Sequence, residues 1–197
     1  MQSAYIFPKK EVDLQNYYYW QQGFTKEELI KVYNSVTDVP FQKATIVGGG
    51  EDISSIRSSS IKWIPQNDQW NWLYDKMMTM AKEANDAIWN FDLQSAPEAI
   101  QYTEYYDHSG GHYGWHQDIG PGMLSHRKIS VTVQLSESDE YEGGDLEYWR
   151  GGDSWETAPR GAGVVFIFPS YMMHRVTQVT KGTRKSFVIW LGGEHYR

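Results

Sequence analysis

The chain has 197 residues, 40% apolar and 22% charged, the balance of a folded protein with room for one sizeable core. It contains no Cys, which excludes disulfides and thiolate ligands, and no apolar run reaches the roughly eighteen residues of a membrane-crossing helix. Net charge is 18 minus 25, or −7, and without a basic block this argues against a dedicated nucleic-acid binder.

The opening MQSAYIFPKK lacks the charged-then-apolar order of a signal peptide, so a cytoplasmic location is expected. Thr25 followed by Glu28 forms a capping box, with Phe24 and Leu29 placed as a hydrophobic staple. Leu29, Tyr33 and Val36 continue an apolar stripe at helical spacing. Thr45–Gly50 ends in three glycines and reads as a loop, and Gly48–Ser55 as a candidate lid. Ser58–Ile64 alternates and precedes Pro65, which predicts a strand. Asp68 is placed to cap a longer helix to about Asn90, with Leu73, Met77, Met80, Ala84 and Ile88 on its apolar face.

From Ile100 short β-rich stretches recur between Gly, Asp and Ser clusters. They are Ile100–Tyr106, Lys128–Leu135, Asp145–Trp149, Val164–Phe168, Arg175–Thr180 and Arg184–Leu191. Ile129, Val131, Val133 and Leu135 alternate with Lys128, Ser130, Thr132 and Gln134. No helical pattern intervenes to give parallel crossovers. The expected architecture is mainly β with N-terminal helices, an antiparallel sandwich or barrel supported on one outer face. One domain is expected, with 1–99 as helical support plus flanking strands and 100–197 as the β core.

The chemistry centres on Tyr113-Gly114-Trp115-His116-Gln117-Asp118. Residues two apart on a strand share a face, so His116 and Asp118 present an imidazole beside a carboxylate. A second His completes a two-histidine, one-carboxylate facial triad, which leaves three positions open on octahedral iron(II). His174, between two strands, is the best candidate. Ten residues later, Arg184 and Ser186 share one strand face, a pairing that suits a carboxylate held at the base of a cavity. His108, His112 and His116 are four apart, but Gly110, Gly111 and Gly114 make a helix there improbable. His108 and His112 read as loop residues, and His126 and His195 as surface residues.

His116-x-Asp118, then His174, then Arg184-x-Ser186 and Trp190, resembles the prolyl 4-hydroxylase branch of the iron(II)/2-oxoglutarate-dependent dioxygenases. Gly143-Gly144-Asp145-Leu146 resembles that family's Gly-Gly-acidic-apolar strand start, and Arg57-Ser58-Ser59-Ser60 with Trp63 its upstream Arg-x-Ser strand. The resemblance runs from Ile53 to Leu191. It implies a double-stranded β-helix, or jelly roll, with helices against one sheet. It also implies iron(II) on the triad, 2-oxoglutarate and O2 as cosubstrates, and ascorbate as a supporting reductant. Arg184, Ser186, Tyr106 and Trp190 would surround the cosubstrate. Some members carry Lys at the position of Arg184, and some a Tyr within the stretch that here reads Val131-Thr132-Val133-Gln134. The second downstream Arg of the nucleic-acid demethylase branch is absent, with Trp190 at its position.

The expected reaction is hydroxylation of a prolyl residue in a peptide or protein, as in the procollagen-proline 4-dioxygenases. Tyr113, Trp115, Arg127 and Trp149 are candidate substrate residues, and the polar, Gly-rich Trp149–Trp155 stretch a candidate rim or lid. A free amino acid is an alternative substrate, with Arg127 as a possible anchor for its carboxylate. A metal-bearing jelly roll without redox turnover, or a zinc hydrolase, would leave Arg184-x-Ser186 without a purpose.

Overall fold

The computed structural model describes residues 15–43 and 55–194. The Thr45–Gly50 loop and His195 lie outside these residues, as does the Gly48–Ser55 lid apart from Ser55. Thr25 caps α1, Lys26–Val36: its hydroxyl accepts from the Glu28 amide while the Glu28 carboxylate accepts from the Thr25 amide. Phe24 and Leu29 are buried in one cluster. The second helix, α2, spans Asn71–Ala84, later than expected and without a side-chain cap. Asp68 does not cap it. The entering turn is built on Asn67, whose side-chain oxygen accepts from the Gln69 amide and whose carbonyl accepts from Trp70 and Asn71. Beyond Ala84 the chain widens into one π turn, Asn85–Trp89, which Asn90 ends in a left-handed conformation.

The strands form two sheets. The larger contains β1 (Tyr18–Trp20), β2 (Gln42–Lys43), β4 (Ser60–Ile64), β5 (Ile100–Tyr106), β7 (Arg127–Gln134), β11 (Val165–Pro169) and β13 (Val179–Gly192), with β8 (Tyr141–Gly143) paired to one end of β13. Its order is β1-β11-β7-β13-β5-β4-β2. The smaller runs β10-β9-β12-β6-β3, from β3 (Arg57–Ser58), β6 (His112–His116), β9 (Leu146–Gly151), β10 (Ser154–Thr157) and β12 (His174–Val176). All neighbouring pairs are antiparallel. This is the jelly-roll arrangement, with both helices on one face of the larger sheet. Among the described residues no helix is long and apolar enough to cross a membrane.

Several expectations need correction. The single strand Ser58–Ile64 is two, because the chain passes at Ser59 from β3 in the smaller sheet to β4 in the larger. Arg175–Thr180 likewise divides between β12 and the start of β13. The Trp149–Trp155 stretch, the candidate rim or lid, is the β9–β10 hairpin, in which Trp155 pairs with Trp149.

The two faces of the larger sheet explain the alternation in β7. Ile129, Val131 and Val133 join Phe187, Ile189, Val165 and Ile167 in the core beneath α1 and α2. A second apolar cluster lies between the sheets, where Phe166, Phe168 and Tyr105 meet Leu146, Tyr148 and Val176. The polar face of β7 also points between the sheets, so Ser130 and Thr132 are buried rather than solvated.

Gly143 ends β8 at φ 68°, and a Cβ there would lie 2.1 Å from the Gln178 carbonyl oxygen. Gly152 has φ 56° but open space around it. Gly143→Ala is expected to cost roughly 2–4 kcal/mol, strain plus overlap, and Gly152→Ala only about 1 kcal/mol. Urea midpoints of the two variants measure the difference.

Candidate metal centre

Antiparallel pairing places His174, the first residue of β12, directly opposite His116, the last of β6. Opposed residues project from the same face, and here that face looks into the gap between the sheets. The two rings lie 4.1 Å apart between centroids. Asp118 sits two residues beyond the end of β6. Its Oδ1 is 3.7 Å from His116 Nε2 and its Oδ2 3.6 Å from His174 Nε2. One candidate donor atom from each residue lies within 4.8 Å of the others.

The tautomers follow from hydrogen bonding. His116 Nδ1 is 2.8 Å from the Gly114 carbonyl and His174 Nδ1 is 2.9 Å from the Met172 carbonyl. A carbonyl can only accept, so each imidazole donates Nδ1–H and turns Nε2 toward the shared point. Burial, with His174 alongside, pushes His116 down to about 3, so it stays neutral at ordinary pH. Burial would raise the Asp118 carboxyl. His174, His116, the Ser130 hydroxyl and Arg127 together outweigh it and hold the group below its usual value. Two imidazoles presenting Nε2 and one carboxylate form the donor set of a divalent transition-metal site.

The Asp118 loop is tied down on both sides. The Asp118 and Ile119 amides donate to the Ser170 carbonyl, and Arg127 Nη1 donates to the Asp118 carbonyl at 3.1 Å. Ser130 Oγ donates to Asp118 Oδ2 at 2.6 Å.

A cavity of about 350 Å³ opens beside the triad between the two sheets. The β13 register brings Arg184, Ser186, Val188 and Trp190 to it on one strand face. Arg184 is only 2% exposed. Its Nη1 donates to Ser186 Oγ at 3.2 Å, its Nε has no partner, and among the described residues it forms no ion pair. A buried guanidinium without a carboxylate is costly. The arrangement therefore fits an anionic ligand reaching Arg184 beside a metal on the triad. Iron(II) and the dicarboxylate 2-oxoglutarate meet both requirements. Trp190 Nε1 is also buried without a partner.

The other sequence candidates divide. Tyr113 lines the cavity and stacks on His116, ring centroids 3.5 Å apart. Arg127 lines it too, but its Nε and Nη2 donate to the Glu98 carboxylate, its Nη1 donates to the Asp118 carbonyl, and its guanidinium carbon lies 3.7 Å from the Trp190 ring centroid, so it is not a free anchor. Tyr106 does not face the cavity. Its hydroxyl donates to Glu104, and the strand phase turns it to the opposite face. Tyr105, paired with Arg184 across the β5–β13 ladder, lines the cavity instead, with Thr103 and Gln101 on the same face. Trp115 and Trp149, 36% and 45% exposed, do not line it either. Their strand phase puts them on the outer face of the smaller sheet, where Arg175 lies over Trp115. His112 is held by the Gly110 carbonyl, and His108 is exposed. Sequence reasoning missed Tyr105 and Ser130 as site residues. The alternation of Gln101, Thr103 and Tyr105 with Ile100 and Tyr102 is the signal that separates the two faces.

Residues 100–192 match the family model described as the 2OG-Fe(II) oxygenase superfamily. Over that stretch the β core is similar to this superfamily. A PKHD-type hydroxylase of Picosynechococcus is 28% identical over 176 residues, covering 86% of this chain and 75% of that one. One from Synechococcus is 37% identical over 83 residues, 42% of this chain and 37% of its own length. With several curated relatives the match spans well under half of the relative, from 37% to 41%. Two solved structures share the fold. A prolyl hydroxylase from Trichoplax adhaerens, solved with a hypoxia inducible factor peptide fragment, has a TM-score of 0.75 at 16% identity and covers 90% of this chain and 83% of that one. A Pseudomonas putida prolyl-4-hydroxylase has a TM-score of 0.69 at 18% identity and covers 91% and 93%.

Folding holds His116 below its unfolded value of about 6.5. The unfolded chain therefore takes up a proton that the folded one refuses. The stability involved is present above pH 6.5 and is lost as pH falls. At pH 5 the metal-free protein is expected to lose about 2 kcal/mol from this residue. His116→Gln should flatten the fall between pH 7 and pH 5, as read from urea midpoints.

Proposed function

We propose that this protein is an iron(II)- and 2-oxoglutarate-dependent dioxygenase that hydroxylates a prolyl residue in a peptide or protein substrate, giving 4-hydroxyproline. The observation that carries the reaction class is the pairing, in one cavity, of the triad with the buried, carboxylate-free Arg184. His116, Asp118 and His174 would hold iron(II), and Arg184 with Ser186 would receive the far carboxylate of 2-oxoglutarate. Tyr105 stands beside Arg184, its ring 5.4 Å from the guanidinium carbon. When bound, metal and cosubstrate supply the oxidising chemistry: 2-oxoglutarate and O2 give succinate and carbon dioxide, and the second oxygen atom goes to the substrate.

The residues of this chain orient and exclude. Val188, Phe168 and Leu146 give the cavity apolar wall, which limits water and strengthens the Arg184 contact. The Nδ1 bonds of the two imidazoles fix which nitrogen each presents. The prolyl assignment is supported by the PKHD-type relatives and by prolyl hydroxylases among the solved structures of the same fold. Tyr113 offers an aromatic wall to a proline ring next to His116. Arg127, the anchor that a free amino acid would use, is occupied by Glu98. Ascorbate is expected to sustain turnover, and the reaction is expected to take place in the cytoplasm.

Arg184→Ala should raise the 2-oxoglutarate requirement by about 2–5 kcal/mol in binding while leaving metal affinity nearly intact. Titrating each ligand separately by calorimetry checks this, and an unchanged 2-oxoglutarate affinity would move the anchor elsewhere. His174→Ala should abolish succinate formation, and near-normal turnover would mean that the triad is wrong. For the substrate, proline-containing peptides and free proline are incubated with iron(II), 2-oxoglutarate and ascorbate and then weighed by mass spectrometry. A gain of one oxygen on Pro in peptides alone is expected. Oxygen placed only on a nucleobase or a non-prolyl metabolite refutes the assignment.

A further inference from the structure

We propose that Ser130 is a positioning residue for the metal carboxylate: its hydroxyl, oriented by Ser170, occupies Asp118 Oδ2 and leaves Oδ1 as the single oxygen offered to the metal. This rests on Asp118 serving as a metal ligand. Both serines have no exposed surface. Ser130 Oγ lies 2.6 Å from Asp118 Oδ2 and 3.0 Å from Ser170 Oγ.

The direction of this chain follows from counting protons. An ionised carboxylate only accepts, so Ser130 must donate its one hydroxyl proton to Asp118. Having none left, it can only accept from Ser170. The result is a directed relay, Ser170 to Ser130 to Asp118. The same segment also grips the Asp118 backbone, since the Ser170 carbonyl accepts from the Asp118 and Ile119 amides. The Ser170 amide in turn donates to the Lys128 carbonyl on β7, the strand that carries Ser130. Backbone and side chain of the ligand are therefore referred to one frame.

The two carboxylate oxygens differ as a consequence. Among the described residues Oδ1 accepts no hydrogen bond, whereas Oδ2 accepts a short one. A carboxylate that chelates through both oxygens fills one more position of an octahedral metal. A donor fixed on Oδ2 opposes that and keeps the position available. Partners of this kind typically change metal affinity by about 10–100-fold when removed.

The test uses cobalt(II) alone as probe, titrated into the metal-free protein and followed by its visible absorption, whose intensity depends on coordination number. Ser130→Ala is expected to weaken cobalt(II) binding about tenfold or more and to lower the intensity of the bands. Ser130→Thr, which keeps the hydroxyl, should retain the wild-type spectrum. Ser170→Ala leaves Ser130 in place but removes its orienting donor, so a smaller change in the same direction is expected. Folded Ser130→Ala with wild-type affinity and spectrum overturns the proposal. If Ser130→Ala does not fold, a Ser170→Ala protein indistinguishable from wild type does so. Asp118→Ala separates the levels. Undiminished cobalt(II) binding by that variant refutes the ligand assignment itself, whereas lost binding there with unaffected Ser130→Ala refutes only the role of Ser130.

Discussion

The pairing of β6 with β12 is the interaction on which the rest of the site depends. It places His116 and His174 opposite one another although they lie far apart in the chain. A shift of one residue would turn one imidazole to the outer face, where Trp115 and Arg175 now stand. The register is held from both sides, because His174 also pairs with Tyr148 on β9. Asp118 lies outside any strand and gets its position from hydrogen bonds instead. Ser170, Arg127 and Ser130 fix its amide, its carbonyl and its carboxylate in turn. A buried carboxylate with these partners, beside two imidazoles that present Nε2, suits a cation without rearrangement.

A second constraint is that the larger sheet is buried on both faces but for different purposes. One face is apolar and packs under α1 and α2. The other carries Gln101, Thr103, Tyr105, Ser130, Thr132, Arg184 and Ser186 toward the gap between the sheets. Burying so many polar groups costs stability unless each finds a partner. Most do: Arg57 reaches Gln101 and Ser59, and Ser130 reaches Asp118 and Ser170. Among the described residues four buried side-chain nitrogens lack a partner, Trp72 Nε1, Arg160 Nε, Arg184 Nε and Trp190 Nε1, and the last two belong to residues that line the cavity. Two such groups in one cavity are consistent with a site kept for a ligand.

Arg127 shows how the same residue type takes a different role through its surroundings. Arg184 has a hydroxyl neighbour and an unpaired nitrogen, whereas Arg127 faces the Glu98 carboxylate and stacks on Trp190. The first is available to an anion. The second is a strut, joining the Asp118 carbonyl to Glu98 and to the wall of the cavity. The local sequence marks Arg184 through Ser186 two residues on, but carries no sign that Arg127 is paired with Glu98, which lies 29 residues earlier.

The sequence by itself determined the candidate donor residues and most strand phases. His116, Asp118, His174 and the Arg184-x-Ser186 pair were legible as candidates because residue types and, on β13, period-two spacing are local properties, whereas Asp118 lies beyond the end of β6. The capping box of α1, the apolar stripe of α2 and the alternation of β7 were legible for the same reason. Tertiary structure decided which face of each strand looks into the cavity, and so it exchanged Tyr106 for Tyr105. It also divided Ser58–Ile64 between two sheets, turned Trp115 and Trp149 outward, and paired Arg127 with Glu98. A strand pattern states that two faces differ. Only the pairing of residues distant in sequence states what each face meets, because side-chain contacts across a sandwich are set by register and layer rather than by spacing along the chain.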